Sequence, residues 1–339
     1  MVKVTVLVAV YNSEPYLREC LDSLMAQTLK DIQVVCVDDA STDGSWKILQ
    51  EYAVLDSRFE VIRLEQNGGQ AKARNIGLAK ARGEYTCFLD SDDFFSPDAL
   101  ECMDERFKDD SAYDCVLFRC LYFYPENRRV EAYAMEPFEE KTGLEAFEDS
   151  LTWKIHGIYA VRTSIHQKYP YDDSLHSFSD DNTTRLHYLA SRKVSCCEGA
   201  YYYRQHASSV THQVSLGRLD YLEANARMKK FLMDLQVERK VIDRYENHRW
   251  LNIVGLCQFA IRHRTSFSLQ EKKVAKGVIR EAWLSIEQHR LQTKNHYKWG
   301  YLLFRARWIP VNWQWGLFYV QECTYYFLRW IFGRQPEDI

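Results

Sequence analysis

Three acidic groups in this 339-residue chain could do chemistry together. In Leu89-Asp90-Ser91-Asp92-Asp93 an extended backbone would turn Asp90 and Asp92 to the same side. Asp38 and Asp39 open the polar run Asp38-Asp39-Ala40-Ser41-Thr42-Asp43-Gly44, and Phe178-Ser179-Asp180-Asp181-Asn182 holds the third pair. Neither GxGxxG nor GxxxxGK[ST] occurs, which excludes the dinucleotide fingerprint and the phosphate-cradling loop. Carboxylates repel phosphate unless a divalent cation lies between them, and Mg²⁺ takes one or two protein carboxylates together with substrate phosphates. The chemistry indicated is a metal–diphosphate site. The same acidic run would also serve as a solvated turn capping the helix after it.

The elements around these groups alternate. Residues 4–10 form a continuous apolar run, as a strand covered on both faces requires. Ser13 then reads as a helix N-cap, with Pro15 in the first turn and Leu17, Leu21 and Leu24 at helical spacing. Further strands are predicted at 32–37, 59–64 and 85–89, with a helix carrying Trp46, Leu49 and Tyr52 on one stripe and another over 70–81. Such alternation predicts a doubly covered, mostly parallel α/β sheet. Ligands of such sheets sit outside the carboxyl ends of the strands, so Tyr11-Asn12, Asp38-Asp39 and Asp90 to Asp93 are the residues to watch.

Charge divides the chain. Residues 213–339 hold 21 Lys+Arg against 12 Asp+Glu and seven of the nine Trp, whereas the whole chain has a formal charge of −3. An acidic front, 1–212, and a basic, Trp-rich back, 213–339, are the expected domains, the front divided into halves 1–100 and 101–212. Helical spacing over 219–235, 245–261, 271–289 and 315–332 predicts a helical back. Ten Cys without a CxxC pair read as reduced, buried thiols in a cytoplasmic protein, with no structural zinc. No apolar run reaches membrane-span length. Trp and Tyr mixed with Arg around 308–315 and 325–332 suit either a peripheral contact with anionic lipid or a packed helical subdomain. No nucleic-acid-binding pattern accompanies the basic residues.

Four motifs occur in order: Val8-Ala9-Val10-Tyr11-Asn12; Val37-Asp38-Asp39-Ala40-Ser41-Thr42-Asp43-Gly44; Asn67-Gly68-Gly69 with Ala73-Arg74-Asn75-Ile76-Gly77; and Phe88-Leu89-Asp90-Ser91-Asp92-Asp93. Together they resemble the signatures of family 2 glycosyltransferases of the bacterial cell-surface polysaccharide type, which have the GT-A fold. The resemblance implies a nucleotide-sugar site of Ala9, Tyr11, Asn12, Asp38, Arg74, Asp90 and Ser91. In it Tyr11 lies against the base, Asp38 accepts a base N–H, Arg74 holds phosphate and Asp90 reaches the ribose. Asp92 would ligate Mn²⁺ or Mg²⁺, and Asp93 would be a second ligand or a cap. For Asp39, Thr42 and Asp43 capping of a polar turn is the better reading, with Asp39 supporting the loop as the alternative, while Asn75 would fix its own loop.

A hydroxyl acceptor needs a base to take its proton. Asp181 stands where the family has the second member of its Glu-Asp pair, ahead of a helix predicted over 184–190, and Asp180 replaces the Glu. One residue of register separates the two as base, and either could instead cap the helix. Tyr201-Tyr202-Tyr203-Arg204-Gln205-His206 resembles the segment closing the family's catalytic domain, so Arg204 would touch phosphate and His206 would complete the metal shell. Trp153, with Lys154, would line an acceptor pocket or fill core. The implied activity is inverting, metal-assisted transfer from a nucleotide-sugar, UDP-linked by family habit, to a glycan or lipid-linked hydroxyl. Rival readings are a non-catalytic nucleotide-sugar-binding protein and a sugar nucleotidyltransferase.

Overall fold

The computed structural model describes residues 1–136, 138–174, 178–206, 215–296, 315–320 and 323–324. Contacts divide the chain into two compact units, Met1–Gln213 and Val214–Ile339.

In the first unit the apolar run becomes β1 (Val4–Val10), buried except at Ala9. β2 (Ile32–Asp38) lies parallel to it in register from Val4↔Ile32 to Val10↔Asp38. β3 (Phe59–Arg63) continues outward in the same direction. The chain then crosses back and sets β4 (Tyr85–Phe88) on the other side of β1. A reversal of this kind opens a crevice beyond the carboxyl ends of β1, β2 and β4. The flanking helices are α1 (Glu14–Met25), α2 (Ser45–Leu55) and α3 (Gln70–Leu78). Helix α3 packs closely on the sheet at Gly77, where a Cβ would come 3.3 Å from Leu7 and 3.5 Å from Val35 and Val37.

The remaining elements of this unit are β5 (Phe94–Phe95), α4 (Ala99–Asp109), β6 (Tyr113–Tyr124), β7 (Arg129–Ala132), β8 (Glu140–Thr142), α5 (Gly143–Ser150), β9 (Tyr159–Arg162), α6 (Thr163–Lys168), α7 (Ser179–Ala190) and β10 (Lys193–Arg204). The sheet order is β3-β2-β1-β4-β9-β6-β10-β5, with β7 on β6 and β8 on β10. β9 bridges β4 and β6 antiparallel to both, and β10 runs parallel to β6. The parallel alternation legible at the N-terminus therefore carries β1 to β4, and the sheet is mixed beyond them.

Two local expectations change. Helix α3 ends at Leu78 rather than 81. Helix α7 begins at Ser179, so Asp180 and Asp181 lie inside its first turn and do not cap it from outside. Phe178, at a left-handed φ of 62°, starts the helix without a side-chain cap. The two carboxylates there meet the positive end of the helix dipole.

The second unit is helical: α8 (Asp220–Asp234), α9 (Arg239–Arg262), α10 (Leu269–Leu284) and α11 (Thr293–His296). Its core gathers Trp250, Ile253, Cys257, Ile279, Trp283 and Phe318. Helix α9 starts at Arg239, well before 245, with Val241 buried in its first turn. Glu246 is fully buried between Lys229, at 3.0 Å, and Arg249, at 2.7 Å. Helix α10 stops at Leu284, short of 289. Most of the aromatic and basic stretches around 308–315 and 325–332 lie outside the described residues. Among the described residues no helix is long and apolar enough to cross a membrane, and no disulfide joins the cysteines.

Burial also gives the first unit a pH dependence. His187 of α7 donates from Nε2 to the Tyr169 carbonyl at 2.8 Å, so its Nδ1 accepts from the Tyr159 hydroxyl, also at 2.8 Å. Burial pushes His187 and His156 down to about 4. With folded values below the unfolded one, the unfolded chain binds more protons between about pH 6.5 and 4. Stability from these groups is complete above that window and lost as pH falls through it, by about 3 kcal/mol per group at the limit. Thermal denaturation should show Tm falling from pH 7 to pH 4.5, less steeply in His187→Gln. An equal slope in that variant would remove His187 from this account.

Candidate active site

At the crevice, two turns are sewn together by polar side chains. Asn12, at a left-handed φ of 49°, accepts the Thr42 N–H on its Oδ1 at 2.8 Å, and its own N–H donates to Ser41 Oγ at 3.0 Å. Glu14 accepts from Gly44 N at 2.7 Å, and Asp43 accepts from the N–H groups of Glu14 and Ser45. Ser13 occupies the N-cap position of α1 without capping it. Its hydroxyl instead meets Ser91 Oγ at 2.6 Å and ties the β1–α1 turn to the acidic loop after β4. Asp43 caps as expected, but Asp39 does not: its two carboxylate oxygens take the N–H groups of Gly68 and Gly69 at 2.7 and 2.8 Å. Asp39 therefore holds the loop leading into α3. Gly69 has φ 87°, a conformation that favours glycine.

This frame presents the residues predicted for the nucleotide. Tyr11 stands 51% exposed at the end of β1, next to half-buried Ala9. Asp38 is fully buried at the end of β2. Its Oδ1 takes a long bond of 3.4 Å from Ser41 N, and its Oδ2 lies 3.2 Å from Arg63 Nε without an aligned hydrogen bond. That second oxygen is buried and has no hydrogen-bond donor in this arrangement. Arg74, on α3, is buried between the rings of Phe88 at 4.2 Å and Tyr171 at 5.2 Å and is ion-paired with Asp90. Burial, the largest single influence, works to discharge this guanidinium, but Asp90 together with Tyr171, Asp180 and Tyr201 outweighs it and the pKa is raised. Gln70 also donates to Asp90, at 3.0 Å. Its role was not foreseen, although the i, i+4 spacing of Gln70 and Arg74 puts both on one helix face.

The acidic loop is held from the far end of the sheet. Asp93 is fully buried; its carboxylate accepts from the Tyr201 hydroxyl at 2.6 Å and from Arg204 N at 2.7 Å. Burial, then the neighbouring Asp90 and Asp92 charges, drive Asp93 well above the usual carboxylate range. Asp90 is also raised, by burial first and by Asp92, with Arg74 opposing. Asp93 is therefore enclosed within the protein, not held out as a ligand. Arg204 spends Nε on the Asp92 carbonyl at 2.7 Å and Nη2 on Glu19 at 2.5 Å, with its guanidinium near Tyr16, Phe94 and Phe123. In this arrangement it braces the loop rather than facing phosphate.

Asp92 remains partly open, its Oδ2 2.9 Å from Nε2 of His206, whose ring stacks on Tyr16 at 4.9 Å. Among the described residues no cluster of three or more His, Cys, Asp or Glu is arranged to hold a metal. A carboxylate with an imidazole still suits Mn²⁺ or Mg²⁺ in a site completed by diphosphate oxygens and water. Across the unit, Asp181 lies 3.7 Å from the buried Arg185, which sits 5.5 Å from the Trp153 ring. Asp180 is exposed, and its charge acts on Arg74 and Asp90. Asn75 pairs with the backbone of Tyr171 in both directions, at 2.8 and 3.0 Å, a link between distant segments that spacing does not reveal.

The sequence pattern of Glycosyl transferase family 2 matches residues 5–169. EpsH of Bacillus subtilis strain 168, named as a glycosyltransferase, is 33% identical over 258 residues, covering 71% of this chain and 73% of its own. Among solved structures, S. aureus TarS 1-349 in complex with UDP-GlcNAc aligns over 99% of this chain and 93% of its own, with TM-score 0.74 and 21% identity. The mannosyltransferase PcManGT of Pyrobaculum calidifontis, in complex with GDP-Man and Mn2+, aligns over 85% and 81% with TM-score 0.51 and 17% identity. The last two likenesses concern the fold. Joined to four motifs that meet at one crevice, the match with EpsH settles the lineage: the chain belongs to glycosyl transferase family 2 and is a glycosyltransferase.

Proposed function

We propose that the enzyme moves a sugar from a nucleotide-diphosphate donor, a UDP-sugar, to a hydroxyl of a glycan or lipid-linked acceptor by single displacement with inversion. The observation that carries this reading is the meeting of two pairs, Arg74–Asp90 and Asp92–His206, at the crevice beyond β4. One offers a buried cation beside a carboxylate, the other a carboxylate beside an imidazole. UDP and UDP-GlcNAc in the TarS structures support the choice of donor.

Asp38 accepts a base N–H, and Tyr11 covers the base. Asp90, held by Arg74 and Gln70, turns its other oxygen to the ribose. Asp92 and His206 would hold a divalent ion, which when bound would supply electrostatic stabilisation for charge on a departing diphosphate. Arg74 adds fixed positive charge behind Asp90. Asp181, restrained by Arg185, takes the proton from the acceptor hydroxyl as it attacks. Through its basic, Trp-rich C-terminal residues the enzyme works peripherally on an anionic membrane surface, facing the cytoplasm.

Nucleotide release from a panel of nucleotide-sugars tests this. Turnover should appear with one or two donors, disappear with EDTA and return with Mn²⁺. Asp92→Ala should lose the Mn²⁺ response, and turnover persisting unchanged in it would remove the metal assignment. Asp181→Asn should lower kcat on the order of 10²–10⁴-fold, the usual worth of a general base, with donor KM little altered. A comparable loss in Asp180→Asn with Asp181→Asn active would move the base by one residue. Full-length protein should also float with vesicles containing anionic lipid and not with purely zwitterionic ones; equal behaviour on both would exclude the surface contact.

A further inference from the structure

Helix α1 turns two kinds of side chain inward. Leu17, Leu21 and Leu24 pack into the core, as their spacing requires. Beside them a polar row on and flanking the helix, Ser13, Cys20, Ser23 and Gln27, is spent on the segment that carries the acidic residues. Cys20 Sγ donates to the Asp90 carbonyl at 3.6 Å. Ser23 Oγ accepts from Phe95 N at 3.2 Å, and Gln27 donates to the Ser96 carbonyl and accepts from Leu100 N. The acidic loop and the residues after it are thus bonded to one helix at several points along their length.

Ser13 holds the end of this row nearest the crevice, and its bonding is unusual for its position. A serine at a helix N-cap ordinarily accepts from the first free N–H groups of the helix. Here Asp43 takes the Glu14 N–H at 3.0 Å, Pro15 has none, and the Ser13 carbonyl takes Tyr16 N at 3.0 Å. The Ser13 hydroxyl is thereby released from capping. It donates to the Tyr11 carbonyl at 3.2 Å, which leaves its lone pairs for the Ser91 hydroxyl at 2.6 Å. Ser13 is 8% exposed and Ser91 9%, so little water competes for either. Two hydrogen bonds in series join the backbone of Tyr11, at the end of β1, to the residue between Asp90 and Asp92.

We propose that Ser13 is a positioning residue for the transfer reaction: through Ser91 it fixes the distance between the nucleotide turn at Tyr11 and the carboxylate of Asp92. This rests on the donor and metal reading above and adds a residue that touches neither ligand. A nucleoside diphosphate holds its base and its phosphates apart at a length limited by covalent bonds. Turn and loop must therefore stand at a matching separation for both ends to be held at once. The acidic loop resists such placement unaided, since Asp90 and Asp92 are like charges two residues apart. A misplacement of about 1 Å can cost a reaction site on the order of 10²-fold.

Calorimetric titration of the full chain with UDP, with and without Mn²⁺, tests this beside donor kinetics. Mn²⁺ should tighten UDP binding in the wild type. In Ser13→Ala that tightening should shrink about tenfold, the lower end of what loss of a ligand's supporting partner costs, with metal-free UDP affinity little changed. Donor KM in Mn²⁺ should rise by a similar factor while kcat changes less. In a Ser91→Ala background Ser13→Ala should cost nothing further, because the partner it acts through is gone. An undiminished Mn²⁺ effect in Ser13→Ala would overturn the role of Ser13. So would an equal loss of UDP affinity with and without the metal, or a full second loss in the Ser91→Ala background. UDP binding that Mn²⁺ leaves unchanged in the wild type would instead sink the metal reading, and the role of Ser13 with it.

Discussion

Three carboxylates within four residues, one fully buried and two half-buried, set the terms for the rest of the catalytic unit. Desolvating even one such charge costs several kcal/mol unless partners compensate it. The chain compensates each from a different direction. Asp90 is met by Arg74 and Gln70 from α3, and Asp93 by a hydroxyl and an N–H from β10. Asp92 meets His206, just beyond the same strand. Strand β10 must therefore end beside the loop between β4 and β5, which its antiparallel pairing with β5 enforces. Helix α3 must lie close enough for Arg74 to reach, which the bare Cα of Gly77 permits. Of the three, Asp93 is closed off, while Asp90 and Asp92 each keep an open side, Asp92 the more exposed.

The nucleotide side answers a different problem, the placing of short polar turns without regular structure. Asn12 and Ala40 both take left-handed conformations that cost non-glycine residues on the order of 1 kcal/mol each. Reciprocal bonds between the β1–α1 and β2–α2 turns hold them there, and the Ser13–Ser91 contact adds the β4 loop to the same lattice. With its side chains already committed, this wall has little freedom left to lose when a ligand arrives. That is the physical content of preorganisation.

The parts of this design legible in sequence are those written in local patterns. The strand runs at 4–10 and 32–37 and the acidic residues after β4 carry their meaning in period and type, and the strands emerged within a residue or two of expectation. What stayed hidden is non-local or locally ambiguous. Asp39 looked like a cap, since nothing in a polar turn announces a pair of glycine N–H groups some thirty residues on. Ser179 to Thr184 is a poor helix former, and the true start of α7 depends on the turn at Phe178 and on two carboxylates meeting a helix dipole. The commitments of Arg204 arise only once β10 is placed beside the acidic loop.

One non-local link decides how the two halves of the catalytic unit act together. The Asn75 side chain donates to and accepts from the Tyr171 backbone, as a second strand would, and fastens the segment before α7 to the helix carrying Arg74. The Tyr171 ring then lies on the Arg74 guanidinium on one side and edge-on to His166 on the other, with His166 against His187 of α7. The guanidinium proposed to oppose charge on the departing diphosphate and the helix bearing the proposed base are thus positioned by the same few buried contacts. Bond breaking and bond making at one anomeric carbon require opposed groups at a fixed separation, and a shared anchor keeps that separation when loops at the surface move.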